Sequence, residues 1–353
     1  VDSSPAESAR APLLLRESIV AQLLDAAAVG DVAAKVDLPA VPDLIDEYLI
    51  VCGRLCAELG RELSGEERAR VRRRLGRRLA EAHTASTRSI VRVVVAAFRG
   101  RPVQSQITAH PQTLQRYYAR WLHRPGPSLF GKQADARVWT LAREAADPTT
   151  HPVLDIGAGI GRNALALARR GHPVDAVELT HEFADVIRSE AAAQSVDVRV
   201  VVGDVFAAVD ELRRDYQLIL LSEVVSDFVS TEQLRGLFEL AGRCLAPGAL
   251  MVFNTFLAAP EHALDQATRE FGQHFHTGVF TRGEIDTAAI GLPFELIADD
   301  AVYSYEKTHL PPGAWPPTRW YPDWIRGVNA FPIVRDMSPI EMRWLVYQKF
   351  TSS

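Results

Sequence analysis

The chain has 353 residues, of which 47% are hydrophobic and 24% charged, with a formal net charge of −5. That length suits two domains with sizeable cores, and the acidic balance argues against a general nucleic-acid binder. No run of about 18 apolar residues occurs, so no membrane span is expected. The opening Val1-Asp-Ser-Ser-Pro5 lacks the basic and apolar regions of a signal peptide. Cys52, Cys56 and Cys244 give no disulfide framework and point to a reducing compartment, hence to the cytoplasm. Cys52 and Cys56 fall on one helical face and read as buried thiols, with no metal expected.

The first 125 residues read as helical. Apolar residues recur at helix spacing in Leu13–Ala28 and Leu44–Leu59. Ser64-Gly-Glu-Glu67 is a capping box opening a third helix. That helix carries Arg68-Ala-Arg-Val-Arg-Arg-Arg-Leu-Gly-Arg-Arg78, but Val71, Leu75 and Leu79 give it an apolar stripe, so it reads as amphipathic with a solvated basic face. Ser89–Phe98 fits a buried helix, although its Val-Val-Val run fits a strand equally. Gly100-Arg-Pro102 breaks it, Pro111–Leu122 forms another helix, and His123-Arg-Pro-Gly-Pro127 is a linker. The N-terminal part is therefore expected to be an all-helical lid, substrate or dimerisation domain over 1–125.

From Ala134 a helix leads into Val153-Leu-Asp-Ile-Gly-Ala-Gly-Ile-Gly-Arg162, a strand ending on Asp155 and a turn with Gly157, Gly159 and Gly161. Glycines at that spacing allow positive φ and close approach of a ligand to the backbone. The pattern is not the G-x-G-x-x-G of dinucleotide folds, and it lacks the lysine of a phosphate loop. An acid beside the turn suits a ligand that bears an ammonium group. Further strands follow: Pro173–Glu178, Val198–Asp204, Tyr216–Glu223 and Leu245–Asn254, with Glu341–Lys349 as the last. Strand and helix alternate, which implies a parallel sheet covered on both faces.

These residues resemble the class I S-adenosylmethionine-dependent methyltransferases of small-molecule type, over roughly 126–353. The resemblance implies a Rossmann-like α/β sheet, mostly parallel with its last strand antiparallel, interrupted by insertions at about 256–292 and 306–338. It implies S-adenosylmethionine as cofactor: Asp155, Gly157, Ala158, Gly159 and Gly161 at the methionine end, Glu178 and Leu179 at the ribose, Gly203, Asp204 and Val205 at the adenine. Ser222 at the end of the fourth strand, and Tyr118 upstream in a helix of the kind that closes over the cofactor, are added to that set.

Methyl transfer needs alignment, exclusion of water and in some cases a base. Glu223 at the fourth-strand end is the first candidate, with Asp227 four residues on and His274 in the first insertion as further candidates. His262, His276 and Arg282 share that insertion, and Trp315, Trp320, Tyr321 and Trp324 lie in the second. The aromatics would line the sulfonium or simply pack the insertion. The reading that follows is methyl transfer to a small-molecule acceptor, a secondary metabolite, with O- or N-methylation favoured over C-methylation. Two others stand beside it: an RNA or protein methyltransferase using the Arg68–Arg78 helix, and a non-catalytic cofactor-binding scaffold. The N-terminal helices would serve a homodimer.

Overall fold

The computed structural model describes residues 5–97, 103–121, 130–259, 264–332 and 340–350, with side chains from Leu15 onward. Gly100-Arg-Pro102, the linker at 123–127, His262 and the end of the second insertion lie outside the described residues. The chain divides into two units. The first comprises Val1–Arg116, Pro260–Thr277 and Gly327–Pro339, and the second comprises Tyr117–Ala259, Gly278–Arg326 and Ile340–Ser353.

The first unit is not all-helical, which corrects the expectation from sequence. Four strands, β1 (Ala28–Val29), β2 (Ala33–Pro39), β3 (Ile90–Ala96) and β4 (Gln104–His110), form an antiparallel sheet in that order. The Val-Val-Val run is strand: in β3, buried and half-buried residues alternate, with Val91, Val93 and Val95 facing the core. Branched side chains fit such a half-buried pleat better than a helix. On the other face Arg92 donates to both carboxylate oxygens of its cross-strand partner Asp37, at 2.6 and 2.7 Å. The helices Ile45–Glu58 and Gly65–Ala85 follow the predicted pattern, whereas Pro5–Asp25 starts earlier than expected and stops short of Ala28, which belongs to β1. Glu67 closes the capping box on Ser64 and accepts the Val103 N–H at 2.9 Å. Cys52 and Cys56 are buried in the second helix, and burial pushes their thiols up to about 12 and about 11.

The second unit is built on a sheet of β5 (Val153–Ile156), β6 (Val174–Glu178), β7 (Val198–Val202), β8 (Tyr216–Leu221), β9 (Leu245–Ala258), β10 (Val279–Phe280), β11 (Phe294–Ala301) and β12 (Ile340–Lys349). Its order is β11-β12-β9-β8-β5-β6-β7, with β10 paired to β9. Strands β5 to β9 are mutually parallel, and the last strand, β12, runs antiparallel between β9 and β11. Leu154, Ile156, Ile219, Leu221, Met251, Phe253 and Leu345 fill a core against Leu234, Leu237 and Phe238 of the helix Thr231–Cys244. Such runs, apolar on both faces, are what a covered parallel sheet requires. The strand order reverses beside β5, and the carboxyl ends of β5, β6 and β8 meet at one edge there, where ligands bind in open α/β sheets.

Candidate active site

The turn after β5 takes the form its glycines predict. Gly157, Gly159 and Gly161 have φ of +69°, +58° and +86°, the left-handed region that favours glycine. A Cβ on Gly157 would come within 2.4 Å of Val224 Cγ2, whereas one on Gly159 would meet nothing within 4 Å. The first glycine is thus needed for packing, and the second leaves an open cradle. Glu178, at the end of β6, accepts the Gly159 N–H on Oε2 and the Thr180 N–H on Oε1, both at 2.8 Å. It ties the turn in place.

Asp155 is 2% exposed, and its Oδ2 has no hydrogen-bond partner. Burial, then the charge of Asp135, pushes its carboxyl up to about 7, against the opposing Ala164 N–H. An unpaired buried carboxylate oxygen at the mouth of a glycine turn fits a cationic group. Past β7, Gly203 has φ of +143°, and Asp204 caps the next short helix by accepting the Phe206 N–H at 2.9 Å. Val205 is buried beside it.

The end of β8 is held by residues whose role sequence reasoning missed. Glu223 has φ of +62°, rare for a residue with a side chain and a cost of roughly 1–3 kcal/mol. Its N–H donates to Asn254 Oδ1 at 2.6 Å, and its carbonyl accepts the Ser226 hydroxyl at 3.2 Å. Its Oε1 accepts from Arg162 Nη2 at 3.0 Å, and the same guanidinium reaches Ser222 Oγ at 3.4 Å. Arg162 in turn grips Asp135 at 2.5 and 3.2 Å, and Asn163 Nδ2 donates to Asp135 at 2.9 Å. Burial opposes the Arg162 charge, but Asp135 and Glu223 hold its proton on. Burial pushes Glu223 up to about 7 while Arg162 opposes it. The Glu223 side chain keeps 26% of its surface open, so solvent screens part of that shift. Arg162 directly follows Gly161, and Asp135 opens the helix Ala136–Arg143. An arginine after the glycines and an acid at a helix start were the available signals.

The second insertion contributes to this neighbourhood. Glu306, in the helix Val302–His309, accepts the N–H groups of Ala136 and Arg137 at 2.8 and 3.2 Å and of Trp344 Nε1 at 2.9 Å. Burial and Asp135 push it up to about 7. Tyr321 and Trp324 are 2% and 4% exposed, and Trp324 meets Phe256 edge-on with ring centres 5.6 Å apart. Burial, then the charges of Glu306, Glu223 and Asp135, push the Tyr321 phenol well up, and its hydroxyl has no hydrogen-bond partner.

Asp227 lies in the same unit as Glu223, one short turn on. It accepts the Tyr118 hydroxyl at 2.5 Å, so two candidates from sequence are brought together. Tyr118 packs edge-on with Trp121 and Phe183. His274 belongs to the first unit, after the helix Gln266–Gln273. Burial, aided by Arg88, lowers its imidazole to about 3, and its Nε2 has no hydrogen-bond partner. Arg282 is not a free anion site: it pairs with Asp299. Among the described residues no group of His, Cys, Asp or Glu could hold a metal, and no helix is long and apolar enough to cross a membrane.

Residues 153–248 match a family model described as a methyltransferase domain. No curated protein matches the chain. Among solved structures, it is similar to geranyl diphosphate C-methyltransferase from Streptomyces coelicolor A3(2), complexed with Mg2+, geranyl diphosphate and S-adenosyl-L-homocysteine. The identity is 18% over 61% of this chain and 77% of that one, with a TM-score of 0.47. A geranyl diphosphate methyltransferase bound to S-adenosylmethionine matches at 16% identity over 68% and 92% of the two chains, TM-score 0.49. A structure solved for the conversion of a disulfide bond into a thioacetal group during echinomycin biosynthesis matches at 13% over 68% and 93%, TM-score 0.45. Likeness at this level speaks to neither substrate nor chemistry. The matched segment runs from β5 through the glycine turn to the start of β9, so the second unit carries a methyltransferase domain.

Proposed function

We propose that this chain transfers the methyl group of S-adenosylmethionine to a small-molecule acceptor, a secondary metabolite methylated on oxygen or nitrogen. The observation that carries the reading is the pairing of an open glycine cradle with the unpartnered Asp155 Oδ2 at one sheet edge. In this reading Asp155 takes the ammonium of the methionine end. Glu178 and Leu179 hold the ribose, and Gly203, Asp204 and Val205 border the adenine. When bound, the cofactor supplies a methyl carbon on a sulfonium, whose carbon–sulfur electron pair returns to sulfur as the acceptor bond forms.

The remaining chemistry belongs to this chain's own residues. Glu223, raised towards neutrality and fixed by Arg162, receives the acceptor's proton. The ion pair limits its rotation and so sets the direction of proton transfer. Tyr118 and Asp227 brace the segment that follows β8. Calorimetry with S-adenosylmethionine and S-adenosylhomocysteine tests the first step. Binding that is lost in Gly159→Arg and weakened in Asp155→Ala supports the reading; absence of binding, or binding indifferent to both changes, refutes it.

A further inference from the structure

The second unit has a further concave place, at the amino-terminal edge of its parallel strands and so at the opposite edge from the glycine turn. Its floor is one row of paired residues. Gln348 of β12 lies beside Leu250 of β9, Leu250 beside Leu218 of β8, and Leu218 beside Val153 of β5. Residues paired in register point to one face of a sheet, and neighbouring strands lie about 4.8 Å apart. The row is therefore a strip four strands wide, apolar except at Gln348. Leu141, Ala142 and Ala145, from the end of the helix Ala136–Arg143 and the residues after it, line the other wall of a cavity of about 230 Å³.

The polar groups on the wall of this cavity are short of donors. His172, which lines it, is 4% exposed, and its Nδ1 lies 2.9 Å from the His151 carbonyl. A carbonyl only accepts, so Nδ1 carries the proton. Burial lowers this imidazole below the usual histidine range, which leaves the ring neutral and its Nε2 a bare acceptor. That Nε2 is buried without a hydrogen-bond partner, and the Ala142 carbonyl on the same wall has only lone pairs to offer. His151 Nδ1 is a second buried nitrogen without a partner, and Glu144 adds a carboxylate. Gln348 spends its Nε2 on the Gly248 carbonyl at 2.9 Å. Among the described residues no Lys or Arg lines the cavity. The wall is thus rich in acceptors and carries negative charge.

We propose that this cavity is a ligand site separate from the glycine turn, and that it takes a single-ring molecule with a cationic, planar N–H head such as an amidinium. The slot lies between a strand row and a helix end, which suits a flat body against Leu250, Leu218 and Val153. One N–H of the head donates to His172 Nε2, and Glu144 supplies the opposite charge. Volume sets the size. An apolar cavity of roughly 150 Å³ holds benzene, so about 230 Å³ holds one ring and a short head. A carboxylate head would instead set its lone pairs against those of His172 and its charge against that of Glu144. The site stands independently of the methyl-transfer reading.

The test is isothermal titration of the full chain with benzamidine and with benzoate, which share a shape. The first head only donates hydrogen bonds and the second only accepts them. Benzamidine is expected to bind about tenfold tighter or more. His172→Asn keeps an amide nitrogen for the His151 carbonyl and removes Nε2, so benzamidine affinity should fall about fivefold or more. Leu250→Trp fills the slot from its half-buried floor position and should abolish benzamidine binding. The two variants change different walls, so one reads the site even if the other fails to fold. Benzamidine should bind equally well with and without S-adenosylhomocysteine present. No binding of benzamidine, equal or tighter binding of benzoate, an affinity unmoved by either variant, or competition with S-adenosylhomocysteine would overturn the inference.

Discussion

Arg162 joins Asp135 to Glu223: one guanidinium nitrogen meets Asp135 Oδ1 at 2.5 Å and the other meets Glu223 Oε1 at 3.0 Å. The residue that closes the glycine turn therefore also fixes the carboxylate at the end of β8. Cofactor cradle and candidate base are one mechanical unit, coupled through a side chain and not only through the sheet. Replacing Glu223 by Gln removes the proton acceptor but keeps a hydrogen-bonding oxygen for Arg162. Turnover should fall at least tenfold, about 1.4 kcal/mol in barrier, with cofactor affinity unchanged by calorimetry. Wild-type turnover in that variant would remove Glu223 as base.

The first two glycines of the turn should fail in different ways. A Cβ on Gly157 meets Val224 Cγ2 at 2.4 Å, and the backbone there has φ of +69°. Gly157→Ala should cost about 1–3 kcal/mol of stability through strain and overpacking, seen as a lowered midpoint in urea. Gly159 opens on free space. Gly159→Arg should fold with a smaller loss, from its positive φ alone, yet bind no cofactor. Equal loss of stability in the two would mean that the cradle is packed.

Asp155 gives a pH dependence whose sign follows from its raised carboxyl. Its folded value of about 7 lies above the ordinary carboxylate range. The stabilising contribution is therefore fully present below about pH 4, where the unfolded chain also binds the proton, and is lost as pH rises through 7. In ligand-free protein, Asp155→Asn should gain stability relative to wild type as pH goes from about 5 to about 8, by up to roughly 2.6 kcal/mol. The measurement is the difference in melting midpoint across that range, which cancels groups common to both proteins. A difference that does not change with pH would show that Asp155 stays ionised throughout.

How much of this could be read beforehand depended on the distance over which each feature is specified. The turn at 157–161 and the strands ending on Glu178 and Ser222 are local patterns, and the parallel sheet followed from them. The helix Gly65–Ala85 announced itself through Ser64 and Glu67. The antiparallel sheet of the first unit did not. Its β2, Ala33–Pro39, has mixed polarity, and it pairs with a strand more than fifty residues away in Ile90–Ala96. The site divides in the same way. Asp155 and Glu223 carry their signal in the strands that end on them, whereas the contacts Arg162–Asp135 and Glu223–Asn254 span 27 and 31 residues. Tyr321 and Trp324 stood among four aromatics without any sign of which would be buried.

The arginine helix separates the small-molecule reading from a nucleic-acid one. Val71, Leu75 and Leu79 are buried, while Arg70, Arg72, Arg73 and Arg74 are exposed. Part of that basic face is already engaged within its own unit. Arg72 pairs with Asp46, Arg74 donates to the Ser105 carbonyl at 2.9 Å, and Arg78 meets Glu81 at 2.7 Å. Exposed pairs of this kind contribute at most about 1 kcal/mol each, so reversing the charges should leave the fold intact. The triple change Arg72/Arg73/Arg74→Glu should therefore lower stability by no more than about 2 kcal/mol and leave methyl transfer to the small acceptor unchanged. An RNA acceptor would behave differently. Transfer would fall steeply with added salt, because each phosphate contact releases counter-ions, and the triple variant would flatten that salt dependence while abolishing activity. Methyl-transfer rates for both proteins, measured across a range of salt concentrations, distinguish the two outcomes.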